Sequence, residues 1–257
     1  MQKKRLVIDL FDAARLVKFQ KSSGITFLII TLFLFISANN AYSQELKHRG
    51  RMGGGRGYFM FGFNNLDIKN LNTALENKGY SKLSDNFLSF GGGGHGIINR
   101  FIIGGEGHGL IGEEANSENY KSSLSVGYGF FDFGYIVYSI GGLNVYPLLG
   151  IGGGGITLKI SEKVPPSFDA ILDNPKRGVE ISTGGLLLNI AVGADYLLNL
   201  GDRKWGNGGL VFGLRIGYTY SPIKSDWQFE EGSISDGPET GITGPYLRLM
   251  IGGGGGN

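Results

Sequence analysis

Leu210–Tyr220 reads LVFGLRIGYTY, and its alternation decides the fold. Successive side chains of a strand point to opposite faces. Leu210, Phe212, Leu214, Ile216, Tyr218 and Tyr220 therefore share one face. Val211, Gly213, Arg215, Gly217 and Thr219 share the other. The first face is a continuous apolar strip. The second is small and polar, with a cation at its centre. A segment of about ten residues patterned in this way suits a β-strand that crosses a bilayer at a tilt, apolar side to lipid and polar side to a lumen.

Other segments repeat the pattern. Leu186, Leu188, Ile190, Val192 and Ala194 oppose Thr183, Gly185, Asn189, Gly193 and Asp195, interrupted by Leu187 and Ala191. Leu247, Leu249 and Ile251 oppose Arg248 and Gly252. Phe101, Ile103 and Ile111 oppose Gly104, Glu106 and His108. Eight strands are predicted, at Tyr58–Phe63, Phe87–Ile98, Phe101–Ile111, Lys121–Tyr138, Val145–Ile160, Val179–Leu200, Leu210–Tyr220 and Tyr246–Gly252. Their connections alternate in length. Asn64–Asn86, Gly112–Tyr120, Ser161–Gly178 and Ser221–Gly244 are the longer set; Asn99-Arg100, Ser139–Asn144 and Gly201–Gly209 are the shorter. An up-and-down barrel with loops on one rim and turns on the other requires this alternation. The expected fold is all-β, an eight-stranded antiparallel transmembrane barrel with short helices in its long loops. Ile68, Leu71 and Leu75 mark one such helix, ended by Gly79. Ser167 is placed to cap a second, through Phe168, Ala170, Ile171 and Leu172. Their apolar faces are expected to pack together over the barrel mouth.

Composition agrees. The 257 residues include 47 Gly, 7 Pro and no Cys, with 18% charged and 41% hydrophobic. Those values exclude a disulfide scaffold, a zinc-thiolate site, a collagen repeat and a solvated disordered chain. The glycine runs have two readings, space inside a narrow barrel or a compositional bias of the lineage.

The N-terminus reads as an address. Lys18 and Lys21 flank an apolar run, Ile25–Ala38, of 14 residues. That is short for a spanning helix, which needs about 20. Ala41-Tyr42-Ser43 supplies small residues for cleavage, so residues 1–43 are expected to be a signal peptide and Gln44 the mature start. Residues 44–56 read as a flexible periplasmic lead-in, and 57–257 as the barrel. Residues 1–43 hold six of the 24 Lys/Arg and two of the 22 Asp/Glu, so the remainder carries a net charge of −2. No basic patch calls for nucleic acid. The RGRMGGGRG stretch at 49–57 is read as solvated lead-in, not an RNA-binding tract.

A charge on the lipid face at mid-bilayer costs about 2–4 kcal/mol. Glu106, Asp195, Arg215 and Arg248 must therefore point inward, where two acids and two bases neutralise one another. His95, His108 and Asn189 join them in the expected lumen network. An eight-stranded barrel is just wide enough to be filled by side chains, so a packed polar plug is expected and not a wide channel. The GEGH spacing at 105–108 matches no metal signature, and no Lys-Ser/Thr follows the glycine runs as a phosphate loop requires. No cofactor or metal is expected.

With these strands, the Ala41-Tyr42-Ser43 signal and the Gly244-Pro245-Tyr246-Leu247-Arg248-Leu249 segment, the chain resembles small bacterial outer-membrane β-barrels of the OmpA-transmembrane and OmpX layout. It is most like the glycine-rich Bacteroidetes type. The resemblance covers most of residues 57–252, is architectural, and implies an outer-membrane location. Such barrels usually end on an aromatic residue; this sequence ends Gly256-Asn257. The expected role is structural or in surface interaction, as a monomer in outer-membrane lipid. Tyr80, Phe168, Trp227 and Phe229 are the candidate loop contacts for an extracellular ligand. A lipid-modifying enzyme and a narrow solute pore are the alternatives.

Overall fold

The computed structural model describes residues 53–163, 167–173, 178–200, 207–230 and 232–256. The proposed signal, its cleavage site, Pro165-Pro166 and most of the Gly201–Gly209 turn lie outside the described residues. Among the described residues, eight long strands form the wall: β1 Gly53–Asn65, β2 Asn86–Ile98, β3 Phe101–Ile111, β4 Tyr120–Tyr135, β5 Leu143–Glu162, β6 Gly178–Asn199, β7 Asn207–Lys224 and β8 Gly244–Gly256. Each pairs antiparallel with its chain neighbours, and β8 pairs β1. The sheet is thereby a closed eight-strand barrel, with every wall strand bonded on both sides. Closure removes the free edges that lipid does not tolerate.

The outward face is apolar. Phe59, Phe90, Phe131, Ile151, Leu188 and Ile216 all expose their side chains. The outward strip from Leu210 to Tyr220 spans about 25 Å once rise and tilt are combined, the height of a membrane-facing apolar band. Above it, outward positions turn polar at Ser125, Thr157 and Ser182, which lie side by side on β4, β5 and β6. Those three strands run on beyond the apolar band. The segment Trp227–Phe229 joins this extension through Gln228 and Ser182, and Gly232–Ile234 pairs with it in turn.

The register explains the glycine content. Almost every bulky polar residue pointing inward faces a glycine on an adjacent strand: His95 opposite Gly104, His108 opposite Gly91, Glu106 opposite Gly93, Arg248 opposite Gly62, Arg56 opposite Gly254, and Arg215 opposite Gly193 with Asp195 opposite Gly213. Asp132 and Asn189 flank Gly150 from either side. A Cβ on Gly93 would lie 2.8 Å from Glu106 Cβ, and one on Gly104 2.6 Å from His95 Cβ. Inward glycines are therefore the space that the polar side chains occupy. Several outward glycines differ: a Cβ on Gly109 or Gly127 would meet nothing within 4 Å.

Four sequence expectations need correction. β1 begins at Gly53, not Tyr58, because Gly53–Gly57 pairs with β2 and all but its first residue also with β8; Arg56 thus belongs to the barrel and not to a flexible lead-in. β4 stops at Tyr135, and a separate hairpin, Tyr138–Ile140 with Leu143–Val145, follows it. Gly141 and Gly142 provide its left-handed turn, and Ile136 folds fully inward. Third, the two loop helices do not pack together. α1, Lys69–Glu76, buries Leu71 and Leu75, but α2, Phe168–Asp173, leaves Phe168, Ile171 and Leu172 exposed. Last, the interior is not polar throughout. Towards the long loops it is apolar, with Phe87, Leu110, Leu124, Ile156, Leu158 and Leu187 in one cluster with Leu66, Ile68 and Leu71 of the first loop and Trp227 and Ile242 of the last.

Gly93→Val should overpack the lumen, at a cost of about 1–3 kcal/mol or more, and should deplete the heat-modifiable folded band on unboiled gels. Gly127→Ala should leave that band unchanged.

Candidate functional site

Glu106 on β3 sits at the centre of the lumen. Arg248 Nη1 donates to its Oε1 at 2.9 Å, and Arg215 Nη1 donates to its Oε2. Arg215 and Arg248 are direct cross-strand partners on β7 and β8, and both are fully buried. Like charges placed opposite one another destabilise a sheet, so this pair depends on the carboxylate that reaches them from across the barrel. His108, two residues along β3 on the same face, places Nε2 3.3 Å from Glu106 Oε1 and 3.0 Å from Arg248 Nη1.

Tyrosines extend the network. Arg248 Nη2 donates to the Tyr128 hydroxyl at 2.7 Å, which also accepts from Asn64 Nδ2 at 3.1 Å. The Arg248 guanidinium lies 3.6 Å from the Tyr246 ring centroid, a cation–π contact in a desolvated setting. Tyr246 donates its hydroxyl to Asn189 Oδ1 at 3.0 Å. On the other side, Arg215 Nη2 donates to Tyr58 OH at 3.2 Å, and Tyr58 OH lies 2.7 Å from His95 Nδ1. His95 Nε2 is 3.9 Å from Asp195 Oδ2. Asp195 Oδ1 accepts from Asn144 Nδ2 at 3.2 Å and lies 3.5 Å from Arg56 Nε.

All seven residues expected in the lumen, His95, Glu106, His108, Asn189, Asp195, Arg215 and Arg248, are buried. The structure joins them in one chain of contacts, with Asn189 attached through Tyr246. The expectation of two acids and two bases was short by one of each. Asp132 is buried 3.9 Å from Arg215 Nη1, and Arg56 is the third buried arginine. Asp132 was legible by parity, since Phe131 and Phe133 flank it and point outward. Arg56 was hidden because glycines on both sides erase the apolar alternation. Tyr58, Tyr128 and Tyr246 carried no sequence mark, since tyrosine suits either face.

This site has the chemistry of a structural lock. Its carboxylates face guanidinium groups, and both imidazoles contact other members of the network. Among the described residues, no group of three His, Asp or Glu side chains converges on a metal position. The candidate loop contacts divide. Trp227 is buried in the mouth cluster, with its indole N–H donating to Pro238 O at 2.8 Å. Tyr80 packs edge-on against Tyr120. Phe168 and Phe229 are exposed.

A closed antiparallel ring with an apolar exterior and a charged interior is a small eight-stranded β-barrel of the membrane-spanning class. No protein-family model and no curated relative matches the chain. Among solved structures, it is similar to Ail, the attachment invasion locus protein of Yersinia pestis, at 14% identity and a TM-score of 0.39, over 81% of this chain and 99% of Ail. A second structure of Ail, in complex with the heparin analogue sucrose octasulfate, gives the same values. The outer membrane protease OmpT of Escherichia coli follows at 11% identity and a TM-score of 0.22, over 80% of this chain and 95% of OmpT.

Removing one partner from a buried ion pair costs about 3–5 kcal/mol. Arg215→Glu should therefore lower the urea midpoint of unfolding in detergent micelles substantially. Combining it with Glu106→Arg should restore part of the loss. An unaltered midpoint in the single variant would show that Arg215 is not part of a stabilising lumen network.

Proposed function

We propose that the protein is a monomeric, non-enzymatic barrel that displays its long loops at the cell surface and binds an extracellular partner through them. The observation that carries this reading is the division of the interior. A neutralised charge network fills the middle, and an apolar cluster built partly from loop residues covers it on the long-loop side. Such an interior supports a rigid anchor better than a conduit: a solute would have to displace both the mouth cluster and charged groups that hold one another.

The same placement speaks to the enzyme alternative. Lipid chemistry needs a nucleophile or base at the membrane rim, and His95 and His108 are enclosed in the lumen. The segments left for function are the outer parts of the loops. Signal-directed export and outer-membrane lipid as the surrounding medium belong to this reading.

Epitope tags placed in Ser161–Gly178 and Ser221–Gly244 should be recognised by antibody on intact cells, and the purified barrel should show no conductance in planar bilayers. Conductance that rises when Leu71 and Leu75 become Ser would replace the anchor reading by a gated pore.

A further inference from the structure

β8 changes character along its length. From Tyr246 to Ile251 it meets β1 mostly through side chains: Phe59 faces Ile251, Met60 faces Met250 and Phe63 faces Leu247. Gly252–Gly256 carries no side chain at all. This stretch lies between Gly54–Tyr58 of β1 and Asn207–Val211 of β7, at the end of the barrel that holds the short turns. Cross-strand side-chain pairs are the unit of sheet stabilisation, and glycine removes every such pair on both flanks here. Glycine also loses more conformational freedom than any other residue when it is fixed in a strand. The backbone ladder therefore holds Gly252–Gly256 against the largest entropy cost a segment of its length can incur.

Arg56 fastens it. Its side chain lies in the lumen over Gly254, where a Cβ would come 2.8 Å from Arg56 Cδ and 3.1 Å from its Nη1. Arg56 Nη1 donates to Gly255 O at 3.3 Å. Arg56 Nε is 3.5 Å from Asp195 Oδ1 on β6, and His95 on β2 is the direct cross-strand partner of Arg56. Asp195 in turn accepts from Asn144 Nδ2 on β5 at 3.2 Å. Arg56, His95, Asn144 and Asp195 are all buried. A guanidinium anchored on the far wall thus bonds a stretch of strand that has no anchor of its own.

We propose that Gly252–Gly256 is a strap that detaches from between β1 and β7, and that Arg56 is its latch. Release opens a lateral slot beside Arg56, His95 and Asp195 at the short-turn end. The rest of the barrel stays closed, because Met60 packs with Met250 and Arg248 bonds Glu106 further along β8. The strap lies at the end opposite the long loops and acts independently of what they bind.

Hydrogen–deuterium exchange of the full barrel in detergent, read by mass spectrometry, tests the latch. Arg56→Ala should speed exchange at Gly252–Gly256 about tenfold or more and leave Tyr246–Met250 of the same strand unchanged. Asp195→Asn should accelerate the same segment, although β6 does not pair with β8. The chain has no native cysteine, so a cross-link can replace the latch. Gly57 and Gly253 are direct partners on β1 and β8, both exposed, and a Cβ on Gly57 meets nothing within 4 Å. Directly opposed strand residues lie within disulfide range. A disulfide between Gly57→Cys and Gly253→Cys should return exchange in Arg56→Ala to the parent rate. Unchanged exchange in Arg56→Ala would show that the ladder suffices and overturn the latch. Equal acceleration along all of β8 would overturn the strap, since the whole strand would then have loosened. If Arg56→Ala gives no heat-modifiable folded band, the cross-link should restore that band. A band that stays lost would place the role of Arg56 away from this seam and overturn the proposal.

Discussion

The charged middle of this barrel is arranged around one carboxylate held by two arginines. Arg215 and Arg248 are neighbours across β7 and β8 and would repel each other. Glu106 reaches them from β3, so the pair is stable only when the barrel is closed. Desolvating the three groups costs several kcal/mol each, and their attraction offsets that cost only with good geometry and further hydrogen bonds. Tyr58, Tyr128, His108 and the Tyr246 ring supply those contacts. The lock therefore favours one diameter and one register, which is more informative about it than any net stabilisation.

The lock also governs the ends. With the middle fixed, β4, β5 and β6 can continue past the apolar band as a small sheet. Its inward face carries Leu124, Leu158 and Ile181, and the first loop covers it with Leu66, Ile68, Leu71, Leu75 and Leu83. The first and last loops are therefore not mere appendages: Leu66, Ile68, Leu71, Leu75, Leu83, Trp227 and Ile242 complete the mouth. Trp227 shows where the mouth ends within a single segment. Its ring is buried in the mouth cluster, while neighbouring Asp226 is exposed.

Strand number, closure, loop alternation and most of the lumen were legible because parity in a lipid-facing strand is enforced by a large penalty. A misplaced Arg215 or Glu106 costs kcal/mol, so such residues report their side reliably. Features enforced by small energies were not legible. Gly53–Gly57 shows no alternation, and the start of β1 was lost with it. The destination of α2 was misjudged, because Phe168, Ile171 and Leu172 at helical spacing state that an apolar face exists, not what it meets. The apolar upper lumen was visible as the interruption at Leu187, but one residue against the parity reads as an exception until its neighbours are known.

Glycine poses the sharpest conflict between local preference and global fold. In a strand it costs about 0.5–1 kcal/mol relative to alanine, and runs such as Gly91–Gly94 and Gly152–Gly155 incur that cost several times over. Two stronger constraints oppose it. On inward positions, a side chain in place of Gly93 or Gly104 would collide with Glu106 or His95 and dismantle the lock. On both faces, an unpaired backbone group in hydrocarbon costs several kcal/mol, so closing the ring outweighs the propensity of any single residue. Outward Gly109 and Gly127 are held by ring closure alone, since nothing within the chain crowds them. Their glycine identity is therefore permitted by the ladder and not demanded by packing, whereas that of Gly93 and Gly104 follows from the polar side chains they face.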